Sequence, residues 1–172
     1  FSDSLNFGHT LITGPSGSGK STLLRLLLGI ETPDKGSIKV SPLFDRKNIT
    51  YIPQKAFIAP GSLRLNYSIE EPERFLGIAK IFGLSKVNGK FLDQNYPDYE
   101  KIFSGGELQR LKLALSIYKN PKLLILDEAL NAVDIENRKE ILAYLVKNIK
   151  NIIMISHNAE DRSFFNNKVI LK

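Results

Sequence analysis

Gly14-Pro15-Ser16-Gly17-Ser18-Gly19-Lys20-Ser21-Thr22 is the stretch whose reading decides the fold. Gly14, Gly19, Lys20 and Ser21 satisfy the spacing G-x-x-x-x-G-K-[ST], and Gly17 adds a further glycine. In front of it, Thr10 to Thr13 reads as a short buried strand; behind it, Leu23 to Ile30 reads as an apolar helix ended by Gly29. That strand–loop–helix frame separates a phosphate loop from the plainer alternative, a Gly/Ser-rich turn ahead of a core helix. Glycines let successive backbone N–H groups converge on phosphate oxygens without side chains in the way. A helix beginning at Gly19 or Lys20 turns its positive end toward the same oxygens. Lys20 is expected to bridge the β- and γ-phosphates, and the Ser21 hydroxyl to take one position on Mg²⁺. These residues imply a nucleoside triphosphate site.

Outward from the loop, strands and helices alternate. Ser37 to Val40 alternates like a half-buried strand, Ile49 to Ile52 reads as another, and Pro53-Gln54 follows it. Phe1 to Gly8 is a polar entry, and the isolated His9 reads as a surface residue rather than a ligand. From Lys55 to Lys101 the character changes: Pro60, Gly61 and Pro72 punctuate it, and Glu73 to Leu84 carries a helical pattern. Val87 to Lys101 reads as loop. Ser104 and Glu107 have the S-x-x-E spacing of a capping box, opening a helix with Leu108, Leu111, Leu115 and Tyr118 on its core face. Asn120-Pro121 stops that helix. Leu123 to Leu126 is a continuous apolar run, as expected of a central parallel strand covered on both faces. Asp134 reads as the cap of another helix, Asn151 to Ile155 as a buried strand with Ser156-His157 at its carboxyl end, and Lys168 to Leu171 as a last strand. The pattern predicts a doubly wound α/β arrangement with its chemistry at the carboxyl ends of the strands.

Two adjacent acids, Asp127 and Glu128, leave the Leu123 to Leu126 run. Next to a phosphate loop, Asp127 is placed to hold Mg²⁺, directly or through water, and Glu128 to act on a water as general base.

Bulk properties fit one domain with a sizeable core: 172 residues, 42% hydrophobic and 24% charged. With no cysteine there is neither a disulfide framework nor a thiolate metal site. No apolar run reaches the length of about 18 residues that a membrane span needs. The formal charge of +6 comes from scattered Lys and Arg without a basic stripe or interleaved aromatics, so no nucleic-acid partner is expected. The chain begins at Phe1 rather than Met and is read as a piece of something longer.

Taken in order, the phosphate loop, Gln54, SGGE, LLILDE, the Ala129 to Asp134 segment and His157 resemble the nucleotide-binding domains of ABC (ATP-binding cassette) transporters. The resemblance implies an α/β fold with a P-loop NTPase (RecA-like) core, residues 1–54 and 120–172, around a central, mostly parallel sheet. A small inserted helical subdomain, 55–119, would carry the signature motif, the whole being one domain truncated at both ends. It implies an Mg-dependent ATPase with ATP and Mg²⁺ as cofactors. Gly14, Pro15, Ser16, Gly17, Ser18, Gly19, Lys20, Ser21 and Thr22 match the Walker A loop, and Gln54 the glutamine that senses metal and attacking water. Phe103 to Glu107 is similar to the signature LSGGQ. There Ser104, Gly105, Gly106 and Glu107 would close on the nucleotide of an opposite domain, so that ATP drives dimerisation. Asp127 matches the Walker B aspartate, Glu128 the catalytic carboxylate, Ala129 to Asp134 the loop that communicates across the dimer, and His157 the switch histidine. The implied metal set is Ser21, Gln54 and Asp127; the implied catalytic set is Glu128, His157, Gln54 and Lys20.

Three departures accompany the match: Phe103 stands for the usual leucine, Glu107 for the usual glutamine, and the family's adenine-stacking aromatic falls upstream of Phe1. The Tyr51 to Asn66 segment resembles the exporter branch. The resemblance therefore implies a second nucleotide-binding domain, a transmembrane domain docking on Gln54 to Asn66, and a location at the cytoplasmic face of a membrane. The alternative is a soluble ABC-type ATPase acting in DNA repair or translation, which calls for a coiled-coil insertion or a second cassette.

Overall fold

Along the central strand, side chains alternate between two apolar clusters. Leu123 and Ile125 join Ile12, Leu24, Ile153, Ile155 and Val169, whereas Leu124 and Leu126 join Leu11, Ile152 and Met154. A run apolar at every position is what a strand packed on both faces requires. The computed structural model describes residues 8–39, 48–55 and 57–172. Five strands form one sheet: β1 (His9–Thr13), β2 (Ile49–Ile52), β3 (Leu123–Asp127), β4 (Ile152–Ile155) and β5 (Asn167–Ile170). Their order is β2-β3-β4-β1-β5, and every pairing is parallel. β3 and β4, flanked on both sides, are buried throughout, while edge strand β5 buries only Val169.

Helix α1 (Lys20–Leu28) covers one face through Leu24 and ends at Gly29, whose left-handed φ of 69° turns the chain. The other face is covered by α5 (Gly105–Tyr118), α6 (Ile135–Asn148) and a helical portion comprising α2 (Leu63–Asn66), α3 (Pro72–Ile81) and α4 (Gly89–Asp93). That portion shares one continuous apolar cluster with the sheet, running through Phe75, Phe82, Leu92, Tyr99 and Leu111 to Leu124 and Met154. A 3-10 helix over Ala159–Phe164 joins β4 to β5. Among the described residues, no helix is long and apolar enough to cross a membrane.

Most sequence-derived elements stand within a residue or two of their expected bounds, including the caps Ser104 and Asp134. Three differ. Ser37–Lys39 form no strand and are exposed, and Val40 lies outside the described residues, as do Phe1–Phe7. The expected loop at Val87 to Lys101 contains α4: Asn88 accepts from the Phe91 N–H and caps a turn whose Phe91 and Leu92 are buried. Asn-Gly is a turn signal, but here burial of that apolar pair selects a capped helical turn. His9 lies within β1, half-buried, with Nε2 2.9 Å from the Ile149 carbonyl oxygen.

Candidate functional site

The register brings the candidate residues to one edge. Ile52 lies opposite Leu126, Asp127 opposite Ile155, and Ile12 opposite Ile155, so β1, β2, β3 and β4 all end side by side. Gly14, Gln54, Glu128 and His157 therefore leave the sheet at its common carboxyl edge, where parallel α/β folds place their ligands.

Gly14 to Thr22 leads from β1 into α1. Gly14 has φ 155°, and a Cβ there would lie 2.5 Å from the Leu171 carbonyl oxygen and 2.8 Å from Ser18 Oγ, so only glycine fits. Pro15, Ser16, Gly17 and Thr22 are exposed. Lys20 is only 6% exposed, and its Nζ donates to the carbonyls of Gly14 (3.0 Å) and Pro15 (2.7 Å). The cation is thus held in the concavity of its own loop, capped by the amino end of α1. Among the described residues Ser18 Oγ, buried there, finds no hydrogen-bond partner, leaving a polar atom free for an acceptor or donor inside the loop.

Asp127 is buried and receives two hydroxyls. Ser21 Oγ donates to its Oδ1 and Tyr51 Oη to its Oδ2, each at 3.0 Å. Burial, reinforced by the neighbouring carboxylate, pushes the Tyr51 phenol up to about 12, so it stays a donor. A hydroxyl and a carboxylate oxygen in contact form the hard-oxygen pair that Mg²⁺ takes when phosphates complete its shell. Among the described residues no group of three or more His, Cys, Asp or Glu could form an all-protein cage. The donor set fits a metal shared with a phosphate ligand.

One residue further, Glu128 has φ 53°, a left-handed conformation uncommon for a side chain other than glycine. Such strain persists where its surroundings over-determine it. Here Glu128 N–H donates to the Ile155 carbonyl, Gln54 Nε2 donates to Oε2 at 3.1 Å and Asn131 Nδ2 to the same oxygen at 2.9 Å. His157 Nε2 lies 3.1 Å from Oε1, the other carboxylate oxygen. Glu128 is half-buried while Gln54 and His157 are exposed, so the carboxylate is fixed yet reachable.

Ser104, Gly105, Gly106 and Glu107 form a separate group at the start of α5. The capping box is complete: Glu107 N–H donates to Ser104 Oγ (3.3 Å) and Ser104 N–H to Glu107 Oε2 (2.8 Å). The Ser104 N–H, ahead of the nearby Lys86 ammonium, holds the Glu107 carboxyl below the ordinary range. A Cβ on Gly106 would lie 2.6 Å from the Ala132 carbonyl oxygen, which brings this helix start against the 129–134 loop. Among the described residues, the side chains of Ser104 and Glu107 hydrogen-bond within this group and to Lys86.

Four participants had not been singled out from sequence. Tyr51 and Asn131 contact the two acids; Gln109 donates to the Gln54 carbonyl (2.8 Å) and accepts from Ala132 N–H (3.3 Å), joining two loops. Arg138 is buried behind the site. Only Arg138 left a readable signal, a charge in the apolar stripe with Ile141, Leu142 and Leu145.

A glycine loop running from an inner parallel strand into a helix, with an acid-ended strand two places away across β4, is the P-loop class of α/β protein. Residues 5–131 match the family model described as ABC transporter. The chain belongs to the ABC transporter family. It is 35% identical over 155 residues to the zinc import ATP-binding protein ZnuC of Rickettsia conorii, covering 87% of this chain and 64% of that protein. It is 36% identical over 159 residues to a Rickettsia bellii protein named for export ATP-binding/permease function, covering 84% and 28%. The molybdenum import ATP-binding protein ModC of Shewanella oneidensis is 31% identical over 174 residues, covering 90% and 46%. A solved bacterial Atm1-family ABC exporter with ATP bound superposes with TM-score 0.79 at 26% identity, covering 96% of this chain and 32% of that one. The chain thus spans less than two thirds of the length of these relatives.

Proposed function

We propose that this chain binds and hydrolyses ATP as a nucleotide-binding domain of an ABC transporter, with residues 1–54 and 120–172 as ATPase core and 55–119 as helical insertion. The observation that carries the reading is the grip of Gln54, Asn131 and His157 on Glu128, one residue beyond the Ser21–Asp127 pair. Lys20, Ser18 and the loop N–H groups bind and orient the triphosphate. Glu128 takes a proton from the attacking water as its oxygen bonds to the γ-phosphorus and the bond to the leaving diphosphate breaks. His157 and Gln54 hold Glu128 and that water in line. Ser21 and Asp127 would hold Mg²⁺, with Gln54 at its edge; when bound, the ion offsets charge on the phosphate oxygens.

Ser104 and Gly105 are exposed at a helix start away from the chain's own phosphate loop, which suits an anion brought by another domain. Two domains paired head to tail about a two-fold axis would each close that surface on the other's ATP. Phe57 (66% exposed) and Leu65 (78%) offer apolar surface within the Gln54 to Asn66 segment, which supports docking of a membrane domain there; the location that goes with this reading is the cytoplasmic face of a membrane. The export-named relative and the Atm1-family neighbour favour an exporter, while ZnuC and ModC keep import as the second reading. All these relatives are transport proteins, which favours transport over the soluble alternative.

With any cysteine elsewhere in the protein replaced, an engineered cysteine pair at Ser16 and Ser104 reports directly on the paired arrangement, since residues 1–172 contribute none. In the intact protein, ATP is expected to promote a disulfide between the two domains. A bond that forms equally without ATP, or none in an ATP-saturated Glu128→Gln background, overturns the head-to-tail arrangement.

A further inference from the structure

Arg138 sits on the apolar side of α6 and is 4% exposed, yet the chemistry proposed above gives it no task. We propose that Arg138 is a positioning residue, whose guanidinium sets the 129–134 loop and the Ser156–His157 strand end in one fixed relation. This rests on the reading of Glu128 and His157 as hydrolytic residues.

The guanidinium reaches three separate segments. Its Nε and Nη2 donate to the two oxygens of Asp161 (2.8 and 2.5 Å), in the 3-10 helix after β4. Nη1 donates to the Leu130 carbonyl (2.5 Å), and Nη2 also reaches Ser156 Oγ (3.0 Å), which accepts from Asn158 N–H (2.9 Å) as well. Leu130 lies two residues beyond Glu128 and immediately before Asn131, which donates to that carboxylate. Ser156 is 1% exposed and immediately precedes His157. The two partners of the 3.1 Å Glu128–His157 contact are therefore both anchored, one or two residues away, to a single planar cation.

Stability alone is a weak reason for this arrangement. A buried ion pair is often replaceable by packed apolar side chains without loss of stability. What an apolar pair cannot supply is a rigid fork of donors aimed at Asp161, a carbonyl and a hydroxyl at once. Asp161 fixes the fork's orientation, and the fork fixes the spacing of the two chain segments that carry the reacting side chains.

The test separates fold from position. In the intact protein, Arg138→Met combined with Asp161→Leu removes both charges together. The double variant is expected to melt close to the parent and keep its KM for ATP, with kcat lowered about tenfold or more, since small misplacements of reacting groups are costly. Parental kcat in the folded double variant overturns the proposal. Should it not fold, Ser156→Ala decides, since it leaves the ion pair intact: lowered kcat at unchanged KM supports the proposal, and parental kcat overturns it. Glu128→Gln run alongside distinguishes the failures. If it stops turnover while the Arg138 variants are unaffected, only the positioning role falls. If turnover survives Glu128→Gln, the hydrolytic assignment falls and takes the positioning role with it.

Discussion

Gln54 Nε2 and Glu128 Oε2 lie 3.1 Å apart, joining the end of β2 to the end of β3. The same glutamine's carbonyl accepts from Gln109 on α5, so the carboxylate is connected through two hydrogen bonds to the helix that begins at Ser104.

Glu128→Gln should leave ATP binding intact and lower turnover by about 10²–10⁴-fold, the range general-base catalysis supplies. The amide keeps a neutral acceptor for Gln54 and Asn131 but cannot take the water's proton. Single-turnover phosphate release checks this, and rapid hydrolysis by the variant would remove Glu128 from the mechanism.

Lys20→Ala should weaken ATP binding or hydrolysis, because Nζ is the buried charge at the centre of the loop. Nucleotide titration by calorimetry and a turnover assay are the measurements. Unchanged affinity together with unchanged turnover would count against the loop as a phosphate site.

The two signature glycines should respond differently. Gly106→Ala places a methyl group 2.6 Å from the Ala132 carbonyl oxygen, a backbone atom, whereas Gly105→Ala meets nothing within 4 Å. Overpacking of this kind costs about 1–3 kcal/mol. Thermal melts without nucleotide should show a lowered midpoint for Gly106→Ala and little change for Gly105→Ala; equal midpoints would contradict the close approach.

Glu107 is held below the ordinary carboxyl range, first by the Ser104 N–H. Its folded form prefers the ionised state, so its stabilisation is present above the ordinary carboxyl pKa and is lost as pH falls through the depressed folded value. Glu107→Gln should flatten the acid limb of the melting temperature against pH. An unchanged acid limb would assign that dependence to other carboxylates.

Tyr51 has the opposite sign. With the phenol raised to about 12, the fold favours its neutral form, and the associated stability is present below about 10 and lost as pH rises through 12. Tyr51→Phe should remove that alkaline loss and, at neutral pH, cost about 1–3 kcal/mol by leaving Asp127 Oδ2 short of a donor. Melting curves of the two proteins across neutral and alkaline pH provide the comparison.

Sequence by itself determined the features that depend on neighbours along the chain. Gly14 to Thr22 needed only spacing, Ser104 and Glu107 needed only three residues of separation, and Leu123 to Leu126 declared a doubly covered strand by carrying no polar residue. Local signals failed where burial outvoted them, as at Asn88-Gly89, where Phe91 and Leu92 pulled a turn signal into a capped helix. The tertiary structure alone decided which separated residues meet. The order β2-β3-β4-β1-β5 puts Gln54 on one side of Glu128 and His157 on the other, and sheet order is set by pairings across long stretches of chain. Tyr51, Asn131 and Gln109 stayed hidden for that reason: each owes its position to hydrogen-bond partners chosen by packing, and a linear sequence records the donor without the acceptor.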